Sequence, residues 1–377
     1  MNGHATTARR PVITAWSAVS PFGIGRSAFA DGLRKRESAA APLDRAKWQA
    51  AGDTAFLVPG FELRDVLGRK GTRSMDRVTG LAVATAGRLL DDAPRNRRVG
   101  TGPDAGLVLG TTTGSVQSQM DFTRDSLTGE KPYFVDPACF PNAVMNCAAG
   151  QSAIWHQLKG PNTTIAGGHA AGLYALNYSR RLLDFGRAST VLCGAVEEFS
   201  PARTWLDSRA HVPATDGAPT VPGEGCALLL VEQAAAADPE QPVLAEVLAV
   251  ELRIALGGAV RTALAACLDR ALRRAGVHPE EIWAVSTSEA SGPAGEQERD
   301  AVEAVLAGGN PLRLTQVGLI GDTGAAAAAF QVAGALVHAQ DDPDAAGRVA
   351  LVTSVDRGGA VGCALLRIGP PAADSHH

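Results

Sequence analysis

The chain has no strong charge of either sign, no long unbroken apolar run and no paired cysteines, and each absence removes a class of function. Among 377 residues, 35 lysines and arginines stand against 39 aspartates and glutamates, a net charge of −4. No strong field therefore recruits a polyanion such as nucleic acid. The longest apolar stretch, Thr323 to Val337, is alanine-rich and broken by Gly324, Gln331 and Gly334. It suits a buried helix better than a bilayer span, so no membrane association is expected. Met1 to Pro11 is polar and basic with no apolar core segment, so no secretory signal is expected and the setting is cytoplasmic. Cys139, Cys147, Cys193, Cys226, Cys267 and Cys363 occur singly in apolar surroundings. Without CxxC pairs they read as small buried hydrophobes in a reducing compartment, not as a disulfide framework or metal site. No short tandem repeat is present, which excludes a solenoid. Gly110 to Gly114 lacks both the spacing and the lysine of a phosphate loop, so tight strand-helix packing accounts for it better. No cofactor motif is found. Glu289 and Glu296 lack the second histidine that a metal site would need.

What is present is an end-to-end alternation of strand-like and helix-like segments, which argues for an α/β fold with buried sheets. In the first part, strands are expected at 12–16, 105–110, 163–166, 190–195 and 226–231. Helices are expected there at 26–36, 75–91, 151–158 and 170–185, with another after Gly114. A polar, proline-containing loop is expected from Pro201 to Thr220. The second part has expected strands at 245–252, 282–287, 348–353 and 362–368, and helices at 262–275, 297–307 and 323–340. Two βαβ-rich halves of unequal length result, 12–237 and 243–368, with a seam at Asp238 to Pro242 and flexible tails at 1–11 and 369–377.

Several short motifs in order carry a family resemblance. They are Ser20-Pro21-Phe22-Gly23, Met75-Asp76-Arg77, Phe140-Pro141-Asn142 with Asn146 and Gly150, Gly160-Pro161, Gly194-Ala195-Val196-Glu197 and Gly223-Glu224-Gly225. Each alone is weak, but their order and spacing from about Val12 to Arg367 resemble the β-ketoacyl synthases. The resemblance implies a thiolase-like, five-layered αβαβα fold of two pseudo-duplicated halves. It also implies a dimer through a shared central sheet and acyl chains carried on acyl carrier protein.

The same resemblance points to three catalytic positions, and all three depart from the family. The run Gly160 to Gly172 is similar to the GPxxxxxTACxSG turn, with His169 where the family has its nucleophilic cysteine. A thiolate is favoured by the positive end of a helix dipole, whereas the cationic form of an imidazole is not. Ser288, in Ser288-Glu289-Ala290-Ser291-Gly292, falls on the histidine of HGTxTxxGD. Asp322, in Gly321-Asp322-Thr323-Gly324, falls on the histidine of GHxxxAAG, and Val317 on the lysine before it. A carboxylate at that place destabilises a developing enolate. The gate GFGGTN reads Asp356-Arg357-Gly358-Gly359-Ala360-Val361, without its phenylalanine. No condensing activity is expected from this chain alone.

An inert member resembles the chain-length factor of type II polyketide synthases, which lacks the cysteine and pairs with an active ketosynthase. Its side chains close the far end of the partner's acyl tunnel. By that resemblance the tunnel and interface wall here comprises Thr113, Val116, Gln117 and Met120 on one helical face, with Cys139, Phe140 and Met145 across the interface. Ordinary core packing explains Val116 and Met120 equally well. The compact chain and the short loop between Val196 and Gly223 are reminiscent of ketosynthase partners in polyene pathways. Arg180, Arg181 and Arg187 read as a solvated helix face more readily than as a carrier-protein contact. Two alternatives stay open. One is a His169-dependent acyltransferase or thioesterase, in which a neutral imidazole beside Asp322 acts as general base with Ser288 or water as nucleophile. The other is a homodimeric scaffold that binds carrier protein.

Overall fold

The strands are built from small and β-branched residues that alternate between two buried faces. In Thr190–Glu197, Val191, Cys193 and Ala195 face one core while Leu192 and Val196 face another. Such two-sided burial requires helices on both sides of a sheet. The computed structural model describes residues 10–92, 101–212, 217–234, 237, 242–306 and 308–370.

The first half supplies strands β1 (Pro11–Ser20), β2 (Ala105–Thr111), β3 (Asn162–Ala166), β4 (Thr190–Glu197) and β5 (Gly225–Gln233). Its main helices are α1 (Arg26–Lys35), α2 (Arg77–Asp92), α3 (Val116–Thr128), α4 (Cys147–His156), α5 (Ala171–Asp184) and α6 (Pro201–Ala210). The second half supplies β6 (Ala245–Ile254), β7 (Ile282–Ser286), β8 (Leu312–Leu314), β9 (Val349–Val355) and β10 (Ala360–Ile368). Its helices are α7 (Val260–Ala275), α8 (Gly292–Leu306) and α9 (Ala327–Asp341).

The strand order is β8-β7-β9-β10-β6-β1-β5-β4-β2-β3. Counted outward from the β1/β6 seam, both halves run first, fifth, fourth, second, third in chain order, with the same parallel and antiparallel pairings. The seam itself is a short antiparallel contact, Val12 to Glu246 and Ile13 to Ala245. Helices α2 and α4 cover one outer face, α7 and α8 the other, and α5 and α9 lie between the two sheets. That is an αβαβα stack of two pseudo-duplicated halves. The duplication reaches local detail. A glycine at φ 51, Gly168 or Gly324, opens a three-residue 3-10 turn that leads into α5 or α9.

Several expectations shift. The stretch expected as loop contains α6, because Ser200 accepts the Arg203 N–H at 3.3 Å and Pro201 takes the first helical position. Helix α8 starts at Gly292, not Gln297, and α9 starts at Ala327, after the 3-10 turn at 324–326. Pro11 and Gly369 are not tail. Pro11 opens β1, and the Gly369 N–H donates to the Leu244 carbonyl at 2.9 Å. The rest of both tails, 1–9 and 371–377, and seam residues 238–241 lie outside the described residues. Cys193, Cys226, Cys267 and Cys363 are buried as expected, but Cys147 is half-buried and Cys139 exposed. Among the described residues no helix is long and apolar enough to cross a membrane.

The central layer depends on close approach of α5 and α9. A Cβ on Gly172 would lie 2.8 Å from the Ala329 nitrogen, so only glycine fits at the crossing. Gly172→Ala is expected to cost about 1–3 kcal/mol through overpacking. Urea unfolding of the variant against the native chain measures it, and an unchanged midpoint would count against this packing.

Candidate functional site

Three turns converge at one end of the central layer. The 167–170 turn between β3 and α5 presents His169, the turn before α9 presents Asp322, and the β9–β10 hairpin presents Asp356. The His169 Nε2 lies 2.8 Å from Asp322 Oδ1, and its Nδ1 lies 3.2 Å from Asp356 Oδ1. Ionised carboxylates only accept hydrogen bonds, so both ring nitrogens carry protons and the ring is an imidazolium. The Asp322 charge lifts the ring to about 10 against the opposing effect of burial, and hydrogen bonds to Asp322 and Asp356 add to the shift. Burial works against the Asp322 carboxylate too. The imidazolium, Arg203 and the Gly324 N–H at 2.9 Å outweigh it and hold the group well below the usual carboxylate range. Asp356 is lowered in the same way, burial being outweighed by His169 and the Gly358 N–H.

The network extends into both halves. Thr220 donates to Asp322 Oδ2 at 2.9 Å, and the Asp322 backbone pairs with Val221 and Gly223. Behind it, Arg203 lies 3.2 Å from Glu197, which also accepts from Thr112 and from the Ala325 N–H. His169, Asp322, Asp356, Ser288 and Val317 all line one cavity of about 470 Å³. Sequence reasoning thus placed the family positions together correctly. The helix dipole was expected to disfavour the cationic ring, and the alternative reading needed a neutral one; two flanking carboxylates favour the cation instead. Ser288 does not serve His169 either, because its hydroxyl donates to the buried Glu298, which also accepts from Thr353 at 2.6 Å. Glu289 is not a metal ligand in waiting. Its carboxylate accepts the Gln316 and Val317 N–H groups at 2.5 and 3.1 Å.

Asp356 was missed as a site residue. Its signal was present, since an aspartate stands at the first glycine of the gate motif, but only the missing phenylalanine beside it drew notice. Arg203 and Thr220 were hidden in the stretch read as loop.

The expected partner-facing residues do not line this cavity: Val116, Gln117 and Met120 are on α3, Cys139, Phe140 and Met145 follow it, and Thr113, expected on the same helical face, precedes the helix in the turn after β2. Thr113, Met120, Cys139, Phe140 and Met145 are exposed, whereas Val116 and Gln117 are half-buried. Met120 is 49% exposed, so it is not a core residue. Gln117 bridges two helices, its carbonyl oxygen accepting the Ala202 N–H at 3.0 Å. Phe122 and Phe140 pack ring against ring at 5.8 Å, and Gly114 leaves room for no side chain against Met145. Leu127, Tyr133, Phe134 and Val144 add to the exposed apolar surface. Of the three arginines on or after α5, Arg181 and Arg187 are exposed and Arg180 is half-buried.

The profile described as Beta-ketoacyl synthase, N-terminal domain matches residues 8–237. The chain belongs to the β-ketoacyl synthase family. It is 46% identical to a solved structure described as the ishigamide ketosynthase/chain length factor, with a TM-score of 0.89, covering 95% of this chain and 99% of that one. It is 28% identical over 311 residues to the granaticin polyketide putative β-ketoacyl synthase 2 of Streptomyces violaceoruber, covering 76% of this chain and 72% of that one. A chain of a solved complex, described as a type II PKS acyl-carrier protein in complex with its ketosynthase, shares the fold at 19% identity and a TM-score of 0.78, covering 96% of this chain and 100% of that one. Within the family the chain groups with the ketosynthase/chain-length-factor members of type II polyketide synthases.

The charged triad predicts a pH signature for this family member. The folded value of His169 lies above its ordinary 6.5, so its stabilisation is complete below about 6.5 and is lost as pH rises toward 10. The depressed carboxylates contribute above their ordinary range and lose that contribution as pH falls through it. Native stability is therefore expected to decline between pH 6.5 and 10, and His169→Gln to flatten that slope. At neutral pH, His169→Ala should cost about 2–3 kcal/mol, less than a fully buried pair because the ring is 31% open to the cavity. Denaturant titrations across that range check both, and parallel pH slopes for native and His169→Gln would contradict the assignment.

Proposed function

We propose that the chain is a non-catalytic chain-length factor. It pairs with a cysteine-containing ketosynthase and walls the far end of the acyl tunnel while the polyketide grows on acyl carrier protein. The observation that carries this reading is the imidazolium at the nucleophile position. It offers no thiol, and with both nitrogens bound to carboxylates it has no lone pair to accept a proton. That weighs equally against a His169-dependent acyltransferase or thioesterase, and the commitment of Ser288 to Glu298 removes the hydroxyl such a reaction would use.

The surface supports the pairing. Strand β3 ends the sheet with one edge unpaired among the described residues, and in sequence it follows α4 and the 139–145 segment. An open edge, together with exposed Met120, Phe140, Val144 and Met145, suits a partner whose sheet continues this one. On this reading Thr113, Val116, Gln117, Met120, Cys139, Phe140 and Met145 form the tunnel and interface wall. The similarity to a protein named for ishigamide ketosynthase/chain length factor supports the same role. The polyene class of product rests on the compact segment between Val196 and Gly223. A division into halves at 12–237 and 243–368 belongs to the same proposal. A homodimeric scaffold differs from it only in association state.

Co-expression with a ketosynthase, followed by size-exclusion chromatography with mass determination and an elongation assay on malonyl carrier protein, tests the role. A 1:1 heterodimer is expected, elongating only when both chains are present and still doing so with His169→Gln. Phe140→Ala, by removing exposed bulk from the wall, should lengthen the longest product by at least one extension unit. A stable homodimer that turns over acyl thioesters alone, and stops with His169→Gln, would overturn the proposal.

A further inference from the structure

Helix α3 carries three of the proposed wall residues, yet none of its thirteen residues is buried. A helix held by an apolar stripe takes its position from the core. Lacking one, α3 depends on the polar contacts at its start, and these lead to a buried glutamate. The Glu198 carboxyl, just beyond β4, is 2% exposed. Its Oε1 accepts the Ser115 hydroxyl at 2.9 Å and lies 3.5 Å from the Gln117 nitrogen, and its Oε2 accepts the Val78 N–H at 3.3 Å. Ser115 is the N-cap of α3, its Oγ accepting the Ser118 N–H at 3.1 Å, and Val78 is the second residue of α2. One carboxyl thus ties the first turn of the wall helix to the first turn of a core helix. Asp76 repeats the link, accepting the Thr79 N–H of α2 at 3.0 Å and the Ser118 hydroxyl of α3 at 3.3 Å.

The turn before α3 has little slack on its other side. A Cβ on Gly114 would lie 2.7 Å from the Met145 Cα, and Thr112 is bound by Glu197, the residue before Glu198. Burial pushes Glu198 up to about 8, the Asp76 charge adding to the shift and the Ser115 hydroxyl and Gln117 N–H opposing it. At neutral pH the group is therefore largely uncharged, and an amide can stand in for it. We propose that Glu198 is the positioning residue of the tunnel wall: from behind it, Glu198 fixes the start of α3, and with it the depth to which Val116, Gln117 and Met120 close the tunnel. The inference rests on the reading of the chain as a chain-length factor, and adds to that reading a determinant of product length that is not itself a wall residue.

Two measurements at neutral pH test this: product lengths from the pair with a ketosynthase, and amide hydrogen exchange on the full chain. Glu198→Ala leaves the Ser115 hydroxyl and the Val78 and Gln117 N–H groups without their acceptor. It is expected to speed exchange across 117–120 at least about tenfold and to spread the products over several lengths where the native pair gives one dominant length. Ser115→Ala cuts the same link from the helix side and should act in the same direction; it carries the test if Glu198→Ala does not fold. Glu198→Gln, whose amide oxygen still accepts from Ser115 and Gln117, should keep native lengths and native exchange. A merely structural role would lower the yield of Glu198→Ala or Ser115→Ala pairs without changing product length, and that result would overturn the proposal. Native exchange across 117–120 in Ser115→Ala would overturn it as well, as would products from Glu198→Gln as dispersed as those from Glu198→Ala. An elongating native pair with unaltered lengths in both alanine variants removes the positioning role and leaves the chain-length-factor reading standing. A native pair that fails to elongate removes that reading, and this inference with it.

Discussion

The contact on which the site depends is the imidazolium of His169 held between Asp322 and Asp356. It joins three turns that no secondary structure holds together, two of them from the second half of the chain and one from the first. Removal of any one charge leaves the others partly buried and unmatched, which costs more than the intact arrangement contributes. The neighbouring Arg203 and Glu197 continue the alternation of charge inward, so the site is compensated in depth and not only at its mouth. A reactive thiolate needs the opposite, an open face and an unmatched positive potential. The same turn cannot meet both requirements.

Around this centre the fold does what the family fold does elsewhere. Glycines at the α5–α9 crossing and at the two 3-10 turns let the layers approach, and the paired sheets bury their strands on both faces. The exposed apolar residues of α3 and the 139–145 segment do not line the charged cavity. The exposed apolar residues Met120, Phe140 and Met145 and the charged residues His169, Asp322 and Asp356 thus belong to different parts of the chain.

Much of this was legible in the sequence, and the exceptions have physical causes. Strands such as Thr190–Glu197 and Val349–Val355 are continuous apolar runs between turn residues, and they were found within two residues. Helix α6 was missed because its polar, proline-led sequence has no apolar stripe, although Ser200-Pro201 is a helix start. Strand β8 is three residues long and mostly exposed, so it carries no periodic signal. At the site, motif spacing brought His169, Ser288 and Asp322 together, because spacing records where turns fall. It could not supply the charge of His169, which depends on Asp356 reaching across from a hairpin 187 residues away. Exposure of Met120 and Phe140 likewise depends on how distant segments pack and not on the local sequence.

The most direct test of this account is the titration of His169 followed by nuclear magnetic resonance of the isotope-labelled imidazole. The account predicts a doubly protonated ring at neutral pH, releasing its proton only near 10. A ring that titrates near the ordinary histidine value of 6.5 would contradict it, and would return His169 to the list of available bases.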